Sequence, residues 1–155
     1  MPTERQHDRR RELDVEHASV LLLEECRTVL PGVQALFGFQ LIAVFSDGFG
    51  RLLSHAERVA HLAAMGLALL AIALLMSPAA LHRQTNPMYV SDGLVRVSSR
   101  LLLASMPALL GAIAIDTYLV SRIILENTTG AAVVAIMAAL VYALLWFALP
   151  RVVRF

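Results

Sequence analysis

One carboxylic acid, Asp116, lies inside a long apolar stretch of the sequence. A charged side chain at the centre of a bilayer costs about 2.5–3.5 kcal/mol on insertion scales, so such acids usually face polar partners and serve a function. On a helix Asp116 shares a stripe with Ser105 and Ala112, and Arg58 and His61 are candidate partners at the same depth. The residue is either a protonatable or cation-binding carboxylate or half of a structural pair. We favour the pair, because transporter sites usually lie nearer the bilayer midplane.

Two glutamines, Gln34 and Gln40, interrupt another apolar stretch earlier in the chain. A glutamine in a membrane helix can hydrogen-bond a neighbouring helix, a contact worth on average about 0.6 kcal/mol. Gln34 and Gln40 could instead line a polar path. We favour the interpretation that they contact neighbouring helices. Together, Asp116, Gln34, Gln40, His61 and Arg58 form the candidate ion-coupling or polar core.

A second group of charged residues flanks the ends of the apolar stretches. Its members, expected on one rim of the protein, are Glu25, Arg27, His82, Arg83 and Arg100. They could form a ring of salt bridges that fixes the order of the helices. Arginines at such positions also anchor helices through lipid headgroups, which is the interpretation we favour.

Catalytic and metal-binding patterns are absent from the sequence. It contains no H-E-x-x-H, C-x-x-C, Walker or G-x-S-x-G motif, and its five histidines are dispersed. The single cysteine, Cys26, excludes an intrachain disulfide. We therefore expect no enzyme, cofactor or metal, and the net charge of +1 gives no reason to expect a nucleic-acid partner.

The sequence contains four apolar runs, at about 30–49, 60–81, 101–120 and 130–149. The first three contain Gln34, Gln40, His61 and Asp116, and the charged residues named above flank the runs. The chain is 58% hydrophobic and only 16% charged, whereas soluble domains average about 45–50% apolar and roughly 25% charged. A helix of about 20 residues spans the roughly 30 Å of hydrocarbon in a bilayer. The sequence therefore predicts an all-α membrane fold whose first partner is the lipid bilayer.

The connections between the runs indicate how the helices are arranged. Two of them are short, so we expect four antiparallel transmembrane helices. Residues 12–28 precede the first run and predict a short amphipathic helix on the cytoplasmic membrane surface. The predicted division is a cytoplasmic N-terminal segment, 1–28, followed by a transmembrane domain, 29–155.

Arginine distribution predicts the orientation. All 13 basic residues are arginines, and with four spans ten fall on the side of the two termini. Only Arg51, Arg58 and Arg122 fall on the other side. Cytoplasmic loops carry the excess of basic residues, so both termini are expected in the cytoplasm. The use of arginine in place of lysine, with the richness in alanine, leucine and valine, is typical of a GC-rich bacterium, so we expect the protein in a bacterial inner membrane.

Two motifs resemble a family of uncharacterised bacterial four-helix integral membrane proteins, some of which carry a sodium:proton antiporter label. The motifs are Pro31-Gly32-Val33-Gln34 followed by Leu36-Phe37, and Pro78 followed by His82-Arg83. The resemblance covers roughly residues 20 to 155. It implies the four-helix architecture and draws attention to Gln34, His82 and Arg83, but it implies no mechanism.

Two functions remain open from the sequence. The first is a non-enzymatic structural or accessory bundle, with small-residue faces compatible with a homo-oligomer. The second is a small cation or proton transporter, or antiporter component, that uses Asp116. The direction in which Asp116 points distinguishes them: towards a rim partner such as Arg58, or towards a polar cavity shared with Gln40.

Overall fold

The structure, a computed structural model, describes residues 2–84 and 92–152, with side-chain surroundings for 17–84 and 93–152. Every regular element in these ranges is helical. The elements are α1 (Pro2–Val44), α2 (Phe49–Leu52), α3 (His55–Gln84), α4 (Asp92–Leu125), α5 (Thr128–Ala143), a π-helical turn (Leu144–Ala148) and α6 (Leu149–Val152).

Four helical segments are long and apolar enough to cross a membrane: His17–Val44, His55–Gln84, Gly93–Leu125 and Thr128–Val152. Most of their residues are not buried within the bundle, and large apolar side chains cover its outside. A surface of this kind is unfavourable in water and suits contact with lipid. The prediction of four apolar membrane-length helices is confirmed. Their antiparallel order, their orientation and the domain division at residue 28 stay predictions.

The first span differs from its prediction. Instead of a short surface helix and a separate span at 30–49, α1 runs continuously to Val44. Nothing between Glu24 and Leu30 interrupts a helix, and Pro31 is accommodated within it. The helix ends early because Ser46, Asp47 and Gly48 favour a turn. The turn is closed by hydrogen bonds from the next residues back to the last carbonyls of the helix.

Small residues bring α3 and α4 together, and this is the most extensive helix pair. The buried stripe of α3 repeats at alternating three- and four-residue intervals: His61, Ala64, Ala68, Ala71, Leu75 and Pro78. Such a repeat keeps one face of a helix towards its neighbour. Gly111 of α4 comes so close to Leu67 that a Cβ there would lie 3.0 Å from the leucine side chain. Helix α1 packs mainly on α3 and α5 packs on α4.

Candidate functional site: a polar cluster between three helices

Gln40 reaches the interior because it continues the buried stripe of α1. Cys26, Val33 and Gln40 are spaced by seven residues, and all three are buried. Gln40 is 3% exposed and lies one turn before the end of the helix at Val44. Gln34 lies six positions earlier, a rotation of about 240° along an α-helix, and it is exposed. The two glutamines therefore do not share a face.

His61 is brought to the same place by the stripe of α3. A reciprocal cap fixes the start of that helix: the backbone N–H and the hydroxyl of Ser54 both donate to Glu57 Oε2 at 2.8 Å, and Glu57 N–H donates to Ser54 Oγ at 3.3 Å. This arrangement is a capping box. His61, one turn further along the helix, is 6% exposed. Phe49 of α2 packs edge-on against its ring, with centroids 5.2 Å apart.

Asp116 completes the site from α4. Its Oδ2 accepts a hydrogen bond of 2.6 Å from Gln40 Nε2, and its Oδ1 lies 3.8 Å from His61 Nδ1. His61 Nε2 in turn lies 3.0 Å from the backbone oxygen of Gln40. Gln40, His61 and Asp116, called here the polar cluster, thus form a closed set of contacts among α1, α3 and α4.

The partners of the two His61 ring nitrogens bear on the protonation of the polar cluster. A carbonyl oxygen can only accept, so His61 Nε2 must donate its hydrogen to Gln40. The other ring nitrogen, Nδ1, therefore faces the Asp116 carboxylate. Without a further proton two lone pairs would face each other, whereas one proton on either group makes the contact attractive. At 3.8 Å the two atoms form an ion-pair contact rather than a hydrogen bond, and this contact is attractive when the pair carries one proton and no net charge.

A cavity of about 320 Å³ adjoins the polar cluster, and Gln40, His61 and Asp116 all line it. Apart from Ser46, the rest of its wall consists of apolar side chains and Gly48. Asp116 thus faces a cavity shared with Gln40, although the wall of that cavity is mainly apolar. The polar lining of this cavity is limited to the polar cluster and Ser46.

An ion pair lies one turn of α3 away from the polar cluster. Arg122 Nε of α4 is 3.5 Å from Glu57 Oε1, and the Glu57 side chain is largely buried. Glu57 occupies the position where the buried stripe of α3 would continue, and Arg58 is directed outward and exposed. Among the described ion pairs, none joins Arg58 to Asp116. The Glu57–Arg122 pair was not predicted, although the Ser54-x-x-Glu57 spacing was a sequence signal for the cap.

The second predicted group of charged residues is not brought together. Glu25, Arg27, Arg83 and Arg100 are exposed, and His82 is partly buried against α1 and α4. Within the described part of the chain none of the five forms an ion pair. The arrangement is compatible with anchoring at lipid headgroups, and the salt-bridge ring is not observed in these residues.

Metal-ligand chemistry is not evident in the described residues, where no three His, Cys, Asp or Glu side chains are grouped to hold an ion. The polar cluster offers one imidazole and one carboxylate, fewer protein ligands than a typical structural or catalytic metal site uses.

Comparison with known families matches residues 8–150 to the Family of unknown function (DUF6328). The chain belongs to this family. No curated protein and no solved structure matches it. The matched range contains all three members of the polar cluster and nearly all of the four apolar helices. Its description contains no antiporter function.

Proposed function

We propose that the chain is a non-enzymatic integral membrane protein, a structural or accessory bundle. Its polar cluster, with one proton on the His61–Asp116 pair, joins three helices through side-chain contacts, and this joining role is called here the lock. The observation that carries this proposal is the closed set of contacts among Gln40, His61 and Asp116. A polar side chain in a membrane is costly unless it is satisfied within the protein. Here Gln40 Nε2, His61 Nε2 and the Asp116 carboxylate have partners on a neighbouring helix, and these contacts join α1, α3 and α4.

The absence of a polar route supports the lock over a conduction path. Beyond the polar cluster the cavity wall is formed chiefly by leucine, phenylalanine, valine and isoleucine. Towards the opposite end of the bundle the hydrophobic core consists of Cys26, Val33, Ala71, Leu75 and Ala108, and the buried polar side chains described there are Ser98 and Ser105. Two hydroxyl groups do not replace the hydration shell of an ion along such a core.

A second candidate function, proton or cation transport, is favoured by one observation. The proton-holding pair adjoins a cavity, so a proton or cation could exchange there. Transporter sites are commonly built from half-helices and internal repeats, and neither feature is seen in the described helices. A path across the membrane would require a second copy of the chain. The transport function therefore assumes a homo-oligomer.

Ion flux in proteoliposomes separates the two functions. The lock predicts no proton or sodium flux above that of empty liposomes, for wild type and for Asp116→Asn alike. Asp47→Asn is the matched control, because Asp47 is an exposed acid in the α1–α2 turn that does not line the cavity. Flux that Asp116→Asn abolishes and Asp47→Asn preserves would overturn the lock and establish transport.

The distribution of arginines is the basis for the proposed location and orientation of the protein. Ten arginines against three favour an inner-membrane protein of a bacterium with both termini in the cytoplasm. The lipid bilayer is the principal partner. A nucleic-acid partner, a cofactor and a metal have no support in the sequence.

A further inference from the structure

The cavity beside the polar cluster has the build of a small-molecule site. Its volume of about 320 Å³ falls within the roughly 300–1,000 Å³ typical of ligand pockets, which are mostly apolar with a few convergent polar groups. The apolar wall is supplied chiefly by leucine, phenylalanine, valine and isoleucine side chains, among them Phe39, Leu52 and Val120. The three members of the polar cluster supply the convergent groups.

Hydrogen-bonding capacity inside the cavity is biased towards acceptors. One N–H of Gln40 Nε2 donates to Asp116, His61 Nε2 donates to the Gln40 carbonyl, and Ser46 Oγ donates to the Ala43 carbonyl at 2.7 Å. Gln40 Oε1 has no donor among the described residues, but it is buried and does not face the cavity. The acceptor that the cavity presents is the Asp116 carboxylate, whose side chain is 19% exposed. A ligand that contacts it must bring N–H or O–H donors.

The cavity is open towards the lipid-facing surface. Phe39 is 71% exposed and Leu52 62% exposed, yet both line the cavity. Val120 of α4 is also exposed and also lines the cavity. A ligand can therefore enter from the bilayer, and a compound concentrated in the bilayer has a large apolar part.

We propose that this cavity binds an ammonium group carried on an apolar body, with its N–H groups directed to the Asp116 carboxylate. A carboxylate suits a cation with hydrogen-bond donors better than a neutral alcohol. Before binding, the His61–Asp116 pair carries one proton and no net charge. When the ammonium binds, the pair releases this proton to the solvent. One positive charge enters and one leaves, so the net charge of the site does not change.

The same chemistry has two sources, a free lipophilic amine and the primary amine of an ethanolamine lipid headgroup. The quaternary headgroup of a choline lipid has no N–H donor. A phosphatidylcholine bilayer is therefore not expected to compete with the amine for the cavity. The experiment below distinguishes the sources.

Isothermal titration in phosphatidylcholine nanodiscs tests the site with 4-phenylbutylamine, with empty nanodiscs as the partition control. We expect saturable binding that releases about one proton per ligand, read from the dependence of the heat on the buffer's ionisation enthalpy. Binding of 4-phenylbutan-1-ol, or of the quaternary trimethyl(4-phenylbutyl)ammonium, is expected to be weaker by about ten- to a hundredfold, because each lacks the charge or the N–H donors.

Two variants locate the binding. Asp116→Asn should weaken amine binding by about ten- to a hundredfold and abolish proton release, whereas Asp47→Asn should change neither. Ala43→Phe fills the cavity from α1 and should block binding while the polar cluster is kept. An unchanged thermal unfolding transition of this variant excludes misfolding as the cause of the loss.

Competition by added phosphatidylethanolamine identifies a headgroup as the ligand, and the absence of competition identifies a free amine. Equal binding of amine and alcohol, or amine binding that survives both Asp116→Asn and Ala43→Phe, would overturn the proposal.

Discussion

His61 has the most constrained chemistry of the polar cluster. Its Nε2 has a carbonyl partner and its Nδ1 faces a carboxylate, so the two ring nitrogens have different roles. A histidine with such partners is held in one tautomer, and ring orientation is fixed by the same contacts. The lock therefore depends on one side chain with defined hydrogen positions.

Nitrogen-15 NMR of the protein in bilayers checks this assignment. We expect Nε2 of His61 to carry hydrogen in wild type, in Asp116→Asn and in Gln40→Leu, because the acceptor is the backbone oxygen of residue 40. His55, which is exposed, is the control and should show the mixture of tautomers of a solvated imidazole. A His61 whose hydrogen resides only on Nδ1 would contradict the assignment.

The members of the polar cluster could be selected from the sequence by type, because acids and amides are rare in apolar helices. Their partnership could not be derived, since it depends on how three helices are rotated about their axes. Arg58 and Glu57 illustrate the difficulty: adjacent in sequence, they point about 100° apart on a helix. Only the inward one, Glu57, meets Arg122.

At the scale of elements, the contact between α3 and α4 depends on small residues. Ala112 of α4 is fully buried, and Ala104 on the same helix is exposed. Added methylene groups in a packed interface force neighbouring atoms apart at a cost of about 1–3 kcal/mol. Ala112→Leu should therefore lower the free energy of unfolding by about 1–3 kcal/mol. Unfolding by steric trapping in bicelles measures it, and equal losses for Ala112→Leu and the control Ala104→Leu would contradict this packing.

The turn between α4 and α5 contains a second element-scale feature, Glu126 with a φ of 52°. The left-handed conformation costs a residue with a Cβ about 1–2 kcal/mol, and glycine avoids this cost. Glycine also loses more entropy on folding, which offsets part of the gain. We expect Glu126→Gly to raise the free energy of unfolding by up to about 1 kcal/mol, and Glu126→Val to lower it. Equal stability of these two variants would show that the residue is not held in this conformation.

Helix boundaries were the least predictable part of the elements. Hydropathy located four apolar segments, but it gave α1 a start near residue 30 and an end near 49. The structure extends the helix to Pro2 and ends it at Val44. Hydropathy reports where lipid contact is favourable, while helix limits follow backbone hydrogen bonding. Glutamates are good helix formers, so a loss of hydropathy does not end the helix.

At the scale of the whole molecule, the orientation in the membrane is a separate prediction. Ten arginines on one side predict cytoplasmic termini. A C-terminal green fluorescent protein fusion should therefore fluoresce in a bacterial host, and a C-terminal alkaline phosphatase fusion should be inactive. An alkaline phosphatase fusion after Asn127, in the turn before α5, should be active. The reverse pattern would contradict the orientation.

The bundle as a whole is held by apolar packing, with the polar cluster as the specific link of α1 to α3 and α4. Helices in lipid gain little from the hydrophobic effect against one another, so packing and interhelical hydrogen bonds decide their arrangement. If the polar cluster is a lock, Gln40 and Asp116 must be energetically coupled in the folded protein.

A double-mutant cycle measures that coupling most directly. Gln40→Ala, Asp116→Ala and the double variant are unfolded by steric trapping in bicelles, with Gln34→Ala and Asp116→Ala as the control cycle. We expect a coupling free energy of about 1–2 kcal/mol for Gln40 and Asp116, at the upper end for membrane hydrogen bonds because a carboxylate is involved. The exposed Gln34 should give additivity within about 0.5 kcal/mol. Additivity in both cycles would contradict the lock.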